Sequence, residues 1–178
     1  HLIGRHMRLL PNVIKLQTSH IGADFHVPLF NHYVSKDIDE LCHGRREPRL
    51  YRWIEGIADG SVLFDVGTNY GQESIWASCQ HHKTIRTIGF DCGLLASHFC
   101  ALNRELNGRT FDFFFAAVGN SPGEMVTITA NSDTHIPRLH KKNVPYSYQV
   151  PCISLDGFAA ANDLSPTHLK IDVDGAEA

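Results

Sequence analysis

Long hydrophobic runs are missing from this sequence. Its 178 residues contain no stretch of about 18 consecutive apolar residues, so no transmembrane helix is predicted. The first residues lack the apolar core of an export signal, and none is predicted. The formal net charge of -3 gives no strongly basic surface, so neither nucleic acid nor an anionic membrane is a predicted partner.

Cysteine and histidine motifs are missing as well. The chain contains no C-x-x-C pair, and its five cysteines are spread along the sequence. An odd number of scattered cysteines favours reduced thiols in a cytoplasmic protein over a disulfide framework or a zinc site. The 12 histidines include the adjacent His81 and His82 but no H-E-x-x-H motif, so no metal site is predicted.

The two common phosphate-binding motifs are also missing. No G-x-x-x-x-G-K-[ST] run occurs anywhere in the chain. The dinucleotide pattern G-x-G-x-x-G would need glycine at three positions that are occupied by Gly67, Asn69 and Gln72. Because two of the three glycines are absent, a nicotinamide-dependent oxidoreductase is disfavoured.

The residues that are present are sufficient for one domain with a sizeable core, since 43% are apolar. Short strand patterns alternate with helical patterns, which is typical of a parallel sheet with right-handed crossovers. We therefore predict an α/β fold with a doubly wound, mostly parallel, Rossmann-like sheet. The predicted helices are 48–57, 72–80 and 94–106, and the predicted strands are 62–66, 84–90, 111–119, 123–130, 146–153 and 168–173.

For two segments the sequence predicts the structure in more detail. Residues 1–45 show little periodicity, which predicts an N-terminal extension with one or two short strands outside the main core. The domain itself would then span residues 46–178. The continuously apolar run 111–119 predicts a strand that is buried on both faces.

A carboxylate and a glycine-rich turn stand at the end of the strand 62–66. Asp65 precedes the turn Gly67–Gly71, and a helical pattern follows directly. Glycine lets the main chain approach a ligand closely, and a helix start has free N–H groups, so a ligand is expected here. Asp91 ends the next strand, which places a second carboxylate at the same edge of the sheet.

These two carboxylates suit a ligand with positive charge and free hydroxyls. S-adenosylmethionine has an ammonium group, a sulfonium and a ribose. In nucleoside-binding sheets, the acid at the end of the second strand accepts the ribose hydroxyls. We therefore expect Asp65 to bind the ammonium group and Asp91 the ribose. The alternative for Asp91 is the N-cap of the helix that follows it.

A second pair of charged residues, Lys170 and Asp172, belongs to the predicted strand 168–173. Side chains two residues apart on a strand point the same way, and charges on a buried strand are costly unless they are paired or used. One interpretation is an ion pair that orients the following loop. The other is that Asp172 faces the methyl group and its acceptor as a general base.

Two longer motifs resemble those of a known protein family. "FDVGTNYGQES" and "LKIDVDGAEA", with "GFDC" and "NRELNG" between them, resemble the FkbM family of S-adenosylmethionine-dependent methyltransferases over residues 44–178. The resemblance implies methylation of a hydroxyl on a small molecule or sugar. Where this chain has Asp91 followed by Cys92, family members more often carry glutamate followed by proline, so the carboxylate here has a shorter reach. The implied cofactor-binding residues are Asp65, Gly67, Asn69, Gly71, Asp91 and Cys92, and Asp172, the candidate catalytic residue, would line the site with Glu177.

Three further expectations concern the binding of the methyl acceptor, the extent of the chain and an alternative function. The polar segment 132–143 predicts either a loop that binds the acceptor or a plain surface excursion. The chain stops after its fourth main-sheet strand, so we expect it to be the front portion of a longer protein, nearly inactive by itself and prone to self-association through the open sheet edge. A rival interpretation is a non-catalytic module that binds a nucleoside or a partner protein.

Overall fold

The computed structural model describes residues 12–17, 19, 21–27, 32–130, 138–139 and 146–173. The helices are α1 (His32–Cys42), α2 (Pro48–Glu55), α3 (Gln72–Ser78), α4 (Leu94–Leu106) and α5 (Leu155–Ala161). The strands are β1 (Asn12–Gln17), β2 (Gly22–Val27), β3 (Val62–Val66), β4 (Arg86–Asp91), β5 (Asp112–Phe115), β6 (Ala117–Val118), β7 (Met125–Ala130), β8 (Arg138–Leu139), β9 (Tyr146–Ile153) and β10 (His168–Ile171).

The central layer is a four-stranded parallel sheet in the order β10-β3-β4-β5. The interior strands β3 and β4 are mostly buried, which explains their uninterrupted apolar sequences. From β3 the chain passes to β4 and β5 on one side, whereas β10 pairs with the other side of β3. The strand order therefore reverses at β3, and the prediction of an α/β fold with a mostly parallel sheet is confirmed.

Helices cover both faces of this sheet. One face contacts the larger core, which includes Leu63 of β3 and Phe99 of α4. On the opposite face, Phe64 of β3 and Phe90 of β4 pack against α5. The Phe158 ring of α5 lies 6.0 Å from Phe64 and 5.0 Å from Phe90, measured between ring centroids. Neighbouring β3 residues thus point into different cores, as the strand period of two requires.

The apolar run 111–119 is not one buried strand, so that prediction was wrong. It forms β5 and then β6, which are separated at Ala116, and the side chains of Phe114 and Phe115 are 39% and 37% exposed. In the described part of the sheet β5 is the outer strand, and after Ala116 the chain leaves to pair with β9. A run of apolar residues does not distinguish an outer strand from an interior one.

A second sheet, in the order β6-β9-β7-β8, lies beyond β5 in the chain. β7 and β9 form its antiparallel centre, which confirms the two strands predicted on either side of the polar segment. β8 contributes one short antiparallel pairing with β7. The remainder of the segment 132–143 lies outside the described residues.

The N-terminal segment contributes to the larger core, contrary to the expectation that its strands pack outside it. β1 and β2 form an antiparallel hairpin, and α1, which was not predicted, follows. Leu16, Phe25 and Ile38 from these elements share one core with Ile54 and Ile75. The inward residues of β2 alternate with polar ones, a pattern too short to stand out in the sequence. That residues 46–178 form the domain by themselves stays a prediction.

The other helices match the sequence pattern to different degrees. α4 begins and ends at the predicted residues, and α2 and α3 lie inside their predicted ranges. α5 was not predicted, although Ser154 Oγ accepts a hydrogen bond from the Gly157 N–H at 3.2 Å and caps its start. No helix in the described part of the chain has the length and apolar character needed to cross a membrane. The five cysteines are free, as predicted, whereas the cytoplasmic location stays a prediction.

Candidate functional site

The carboxyl ends of β3, β4 and β10 meet where the strand order reverses. Lys170 of β10 pairs in register with Asp65 of β3, and the N–H of Asp172 donates to the Val66 carbonyl at 3.0 Å. On the other side of β3, β4 ends at Asp91. Ligands of open parallel sheets bind at such a reversal. The structure therefore brings the three predicted aspartates to one end of the sheet.

Asp65 lies beneath the glycine turn with 0% of its surface exposed. Its Oδ1 lies 3.1 Å from Lys170 Nζ, and its Oδ2 accepts a hydrogen bond from Ser74 Oγ at 2.6 Å. Burial raises the pKa of the Asp65 carboxyl, and the neighbouring Lys170 ammonium opposes that rise. Since both oxygens have partners within the chain, Asp65 holds β10 and α3 against β3. Its direct contact with a ligand ammonium group stays a prediction.

Lys170 is the centre of a buried charged cluster. Its Nζ donates to the Gly67 carbonyl at 3.0 Å. The same atom lies 3.1 Å from Asp65 Oδ1, 4.0 Å from Glu73 Oε2 and 3.9 Å from Asp172 Oδ2. Burial lowers the pKa of Lys170, but these carboxylates together raise it above its usual value. The ammonium is therefore paired mainly with Asp65, and its contact with Asp172 is the looser of the two.

Glu73 extends the cluster to α1 and α2, and sequence reasoning missed it. The Tyr51 hydroxyl donates to Glu73 Oε1 at 2.7 Å, and Arg46 Nε lies 3.9 Å from the same oxygen. Arg46 in turn pairs with Asp37 of α1 at 2.7 Å. The available signal was an acid two residues after the glycine turn in an otherwise uncharged helix. Its partners Tyr51 and Arg46 lie earlier in the chain and Lys170 lies much later, and no local sequence pattern connects them to it.

The glycine turn uses its own N–H groups within the protein. Those of Gly67 and Thr68 donate to the Phe90 carbonyl at 2.9 and 3.1 Å, and that of Gly71 donates to the Thr68 carbonyl at 2.8 Å. Gly71, with φ of +87°, is the N-cap of α3. These three N–H groups are therefore not available to a ligand. The expectation of free N–H groups concerned the start of α3, and there it stays a prediction.

Two glycines around the turn are required by close packing. Gly67 has φ of +77°, and a Cβ there would lie 1.9 Å from the Asp172 carbonyl oxygen. On β4, a Cβ at Gly89 would lie 2.6 Å from Thr68 Oγ1. Neither position accepts a side chain unless the neighbouring backbone or the turn moves. Gly67 is thus explained by the approach of β10, with no ligand needed to account for it.

Asp91 joins the glycine turn to the start of α4. Its Oδ2 accepts a hydrogen bond from the Asn69 N–H at 2.8 Å, and its Oδ1 accepts one from the Gly93 N–H at 2.7 Å. Gly93, not Asp91, is the N-cap of α4, so the alternative of an Asp91 N-cap is not observed. Burial raises the pKa of Asp91, and the two backbone donors oppose that rise. Each oxygen keeps a second lone pair with which it can accept a ligand hydroxyl.

Cys92 continues the same turn and contacts a residue that was not predicted. Its carbonyl accepts a hydrogen bond from the Tyr148 hydroxyl at 2.8 Å, and the Leu94 N–H donates to that hydroxyl at 3.2 Å. Burial, with a smaller effect of the Asp91 charge, raises the pKa of the Cys92 thiol to about 12. The thiol is therefore uncharged at neutral pH. Tyr148 belongs to β9, and an aromatic residue within a strand pattern gives no signal of such a contact.

Asp172 is the exposed carboxylate of the group. Its side chain is 61% exposed, in contrast to the buried Lys170 beside it. Asp172 follows the carboxyl end of β10. The sequence predicted it at this end of the strand, where it could face a substrate. Glu177 lies outside the described residues.

The described site presents hydrogen-bond acceptors more than donors. Asp91 and Asp172 stand at strand ends on either side of β3, while the turn N–H groups and the Lys170 ammonium already have partners. A ligand with hydroxyls or a positive charge suits these acceptors better than a pyrophosphate, which requires donors. Within the described ranges, no group of three His, Cys, Asp or Glu side chains is placed to hold a metal ion.

Comparison with known proteins identifies no family. No family model matches the chain, and no curated protein matches it. Among solved structures, the X-ray structure of YjhP from E. coli aligns with a TM-score of 0.33 and 13% identity over 66% of this chain and 63% of that chain. This chain thus spans less than two thirds of that protein, and a similarity this low assigns neither a family nor a function. The resemblance to the FkbM family stays a prediction.

Proposed function

We propose that the protein is an S-adenosylmethionine-dependent methyltransferase that methylates a hydroxyl of a small molecule or sugar. The observation that carries this proposal is the acceptor-rich end of the parallel sheet at the reversal of strand order, with Asp91 and Asp172 on either side of β3. S-adenosylmethionine has the complementary groups, namely an ammonium, a sulfonium and two ribose hydroxyls. The class I methyltransferase fold and membership of the FkbM family are parts of the same proposal.

The proposed cofactor site follows the ends of β3 and β4. Asp91 would accept the ribose hydroxyls with the lone pairs that its two backbone contacts leave available. Cys92 would line the same turn with an uncharged thiol. Gly67, Asn69 and Gly71 would form the turn against which the methionine part lies.

Asp65 would act on the cofactor from beneath this turn. Its carboxylate, with those of Glu73 and Asp172, lies within 4.0 Å of the single Lys170 ammonium. Three carboxylates stand against the Lys170 ammonium and the Arg46 guanidinium, which lies 3.9 Å from Glu73. The region therefore keeps an excess of negative charge, which favours a cationic ligand. The same pairing keeps the Gly67 carbonyl hydrogen-bonded to Lys170, so the turn holds its shape.

The proposed chemistry assigns two tasks to the protein. When bound, S-adenosylmethionine supplies an electrophilic methyl group. The sheet end would hold the acceptor oxygen in line with that group, and such positioning provides much of the rate in a transfer of this kind. Asp172, as the exposed carboxylate, would take the proton that leaves the acceptor hydroxyl and release it to water.

Calorimetric titration with S-adenosylmethionine, S-adenosylhomocysteine and NAD tests the proposal. We expect the first two to bind and NAD to give no binding heat. Binding of NAD alone would replace the methyltransferase with an oxidoreductase, and binding of none of the three would refute a cofactor site here. If S-adenosylmethionine binds but no hydroxyl compound in a panel of sugars and phenols is methylated, the non-catalytic nucleoside-binding module becomes the better description.

A further inference from the structure

Tyr148 reaches the Asp91 turn from a different sheet. It lies on β9, in the sheet of β6, β7 and β8, whereas Asp91 ends β4 of the parallel sheet. The Tyr148 hydroxyl donates to the Cys92 carbonyl at 2.8 Å and accepts from the Leu94 N–H at 3.2 Å. One oxygen atom therefore bridges the two residues on either side of Gly93.

The bridged residues flank Gly93, whose N–H is one of the two backbone donors that orient the Asp91 carboxylate. Asp91 Oδ1 accepts from the Gly93 N–H at 2.7 Å, so the direction of the carboxylate depends on where Gly93 lies. Gly93 is extended, with φ of −81° and ψ of 118°, and glycine restricts its own backbone less than any other residue. The Tyr148 hydroxyl supplies a restraint that the local sequence lacks.

We propose that Tyr148 is a positioning residue for nucleoside recognition, whose hydroxyl holds residues 91–94 so that Asp91 presents its carboxylate to ribose hydroxyls. The inference rests on the proposed function, because the ribose is that of S-adenosylmethionine. Among the described residues, the Tyr148 hydroxyl bonds only to Cys92 and Leu94 of the turn, so it acts through Asp91. Burial raises the pKa of Tyr148 to about 12, so its hydroxyl keeps the proton that it donates to Cys92 at neutral pH.

Tyr146 provides a matched control. It lies two residues before Tyr148 and hence on the same face of β9, and the two rings stack with centroids 6.2 Å apart. Among the described residues, the Tyr146 hydroxyl has no hydrogen-bond partner. Tyr146→Phe therefore removes the same atom from the same strand face without releasing the turn.

The test is a calorimetric comparison of wild-type protein, Tyr148→Phe and Tyr146→Phe with three ligands: S-adenosylhomocysteine, adenosine and 2′,3′-dideoxyadenosine. Tyr148→Phe should weaken the first two by about 3- to 10-fold, the effect of one or two neutral hydrogen bonds. It should leave dideoxyadenosine binding unchanged, because that ligand lacks the hydroxyls that Asp91 would accept. Tyr146→Phe should change none of the three affinities.

Two outcomes would overturn this inference while the proposed function stands. The first is wild-type affinity of Tyr148→Phe for S-adenosylhomocysteine. The second is an equal loss of adenosine and dideoxyadenosine binding, which would make Tyr148 a general support of the site. A wild-type protein that binds no nucleoside would overturn the proposed function and this inference together. Thermal unfolding of both variants verifies that each is folded before affinities are compared.

Discussion

At the scale of single residues, the buried pair of Asp65 and Lys170 is where charge and folding are most closely linked. Replacing Asp65 with Asn would leave the buried Lys170 ammonium with the neutral Gly67 carbonyl and the more distant Glu73 and Asp172 carboxylates. Breaking a buried ion pair from one side costs about 3–5 kcal/mol. We therefore expect Asp65→Asn to lower the free energy of unfolding by that amount in urea titrations.

Asp172→Asn is the control for this prediction, because it removes the same charge from a side chain that is 61% exposed. Surface substitutions of this kind stay within about 0.5 kcal/mol. If both variants unfold at the wild-type urea concentration, the Asp65 charge is not needed by the fold. Its predicted role in binding a ligand ammonium group would then be the better explanation for the residue.

Asp91 carries a prediction about pH. Burial raises its pKa in the folded protein, so its contribution to the unfolding free energy is greatest below the usual value of 3.8 and is lost as pH rises through the raised pKa. Ligand affinity should change with pH in the opposite direction to this contribution. Only the ionised carboxylate accepts from both ribose hydroxyls, so affinity for S-adenosylhomocysteine should fall as pH decreases through that raised pKa.

Titrations of S-adenosylhomocysteine between about pH 4 and 8 measure this effect. Asp91→Asn should bind S-adenosylhomocysteine more weakly than wild type near neutral pH. Its affinity should not change as pH falls through the pKa of Asp91. The variant keeps the side-chain shape and one acceptor oxygen, but its NH2 group meets one of the two backbone donors, so thermal unfolding is used to verify that it is folded. The same pH slope in wild type and variant would assign the slope to another group and remove the ribose role of Asp91.

At the scale of secondary-structure elements, the sequence was sufficient to predict the type and position of an element whose own residues show a clear helical or strand pattern. α4 shows a complete helical stripe and β3 a short apolar run before a glycine turn, and both lie at their predicted positions. β5 was wrongly predicted as buried, because burial depends on which strands pair beside it. α1 was missed although Val34, Ile38 and Leu41 repeat at i, i+4 and i+7 and so carry a helical signal. α5 is only seven residues long, and its Phe158 packs against Phe64 and Phe90 of the sheet, contacts that its own sequence does not indicate.

The residues of the candidate site likewise fall into those that the sequence predicted and those that it did not. Asp65, Asp91 and Asp172 could be predicted, since the end of a parallel strand is a position that the sequence pattern defines. The partners Glu73 and Tyr148 could not, because one meets Tyr51 across 22 residues and the other meets Cys92 across 56 residues of chain. Contacts of that kind follow from the packing of elements and not from their local sequences.

Asn103 of α4 carries a prediction at the element scale, because it ties three elements together. Its Oδ1 accepts from the His26 N–H of β2 at 2.6 Å, and its Nδ2 donates to the Tyr70 carbonyl of the glycine turn at 2.9 Å. Asn103→Leu keeps the side-chain volume but removes a partner from the buried Tyr70 carbonyl and from the partly buried His26 N–H. We expect a loss of about 2–4 kcal/mol of unfolding free energy.

His98→Leu serves as the comparison for Asn103→Leu, since His98 lies on the exposed side of the same helix. It should leave the unfolding free energy within about 0.5 kcal/mol of wild type. Hydrogen exchange should in addition show faster exchange of the His26 amide in Asn103→Leu only. A variant with wild-type stability and an unchanged His26 amide would mean that water replaces the asparagine at no measurable cost.

At the scale of the whole molecule, one large core joins the N-terminal hairpin and α1 to the helices and strands that follow as far as Phe111. It contains Phe25 of the hairpin, Ile38 of α1, Ile75 of α3 and Phe111 before β5. An element that shares its core with the central sheet should unfold together with that sheet. Self-association through the sheet edge stays a prediction, to be measured by sedimentation.

The shared core leads to a prediction about cooperativity. Phe25 is fully buried on β2, so Phe25→Ala should lower the unfolding free energy of the entire protein by about 3–5 kcal/mol. Trp76 belongs to the same core, and its fluorescence should report one transition that coincides with loss of the far-ultraviolet circular dichroism signal. Val13→Ala, at a 46% exposed position of β1, should leave the midpoint almost unchanged. If Phe25→Ala instead lost part of its dichroism well before the Trp76 transition, the hairpin would be an independently unfolding extension, and the N-terminal boundary predicted near residue 46 would gain physical support.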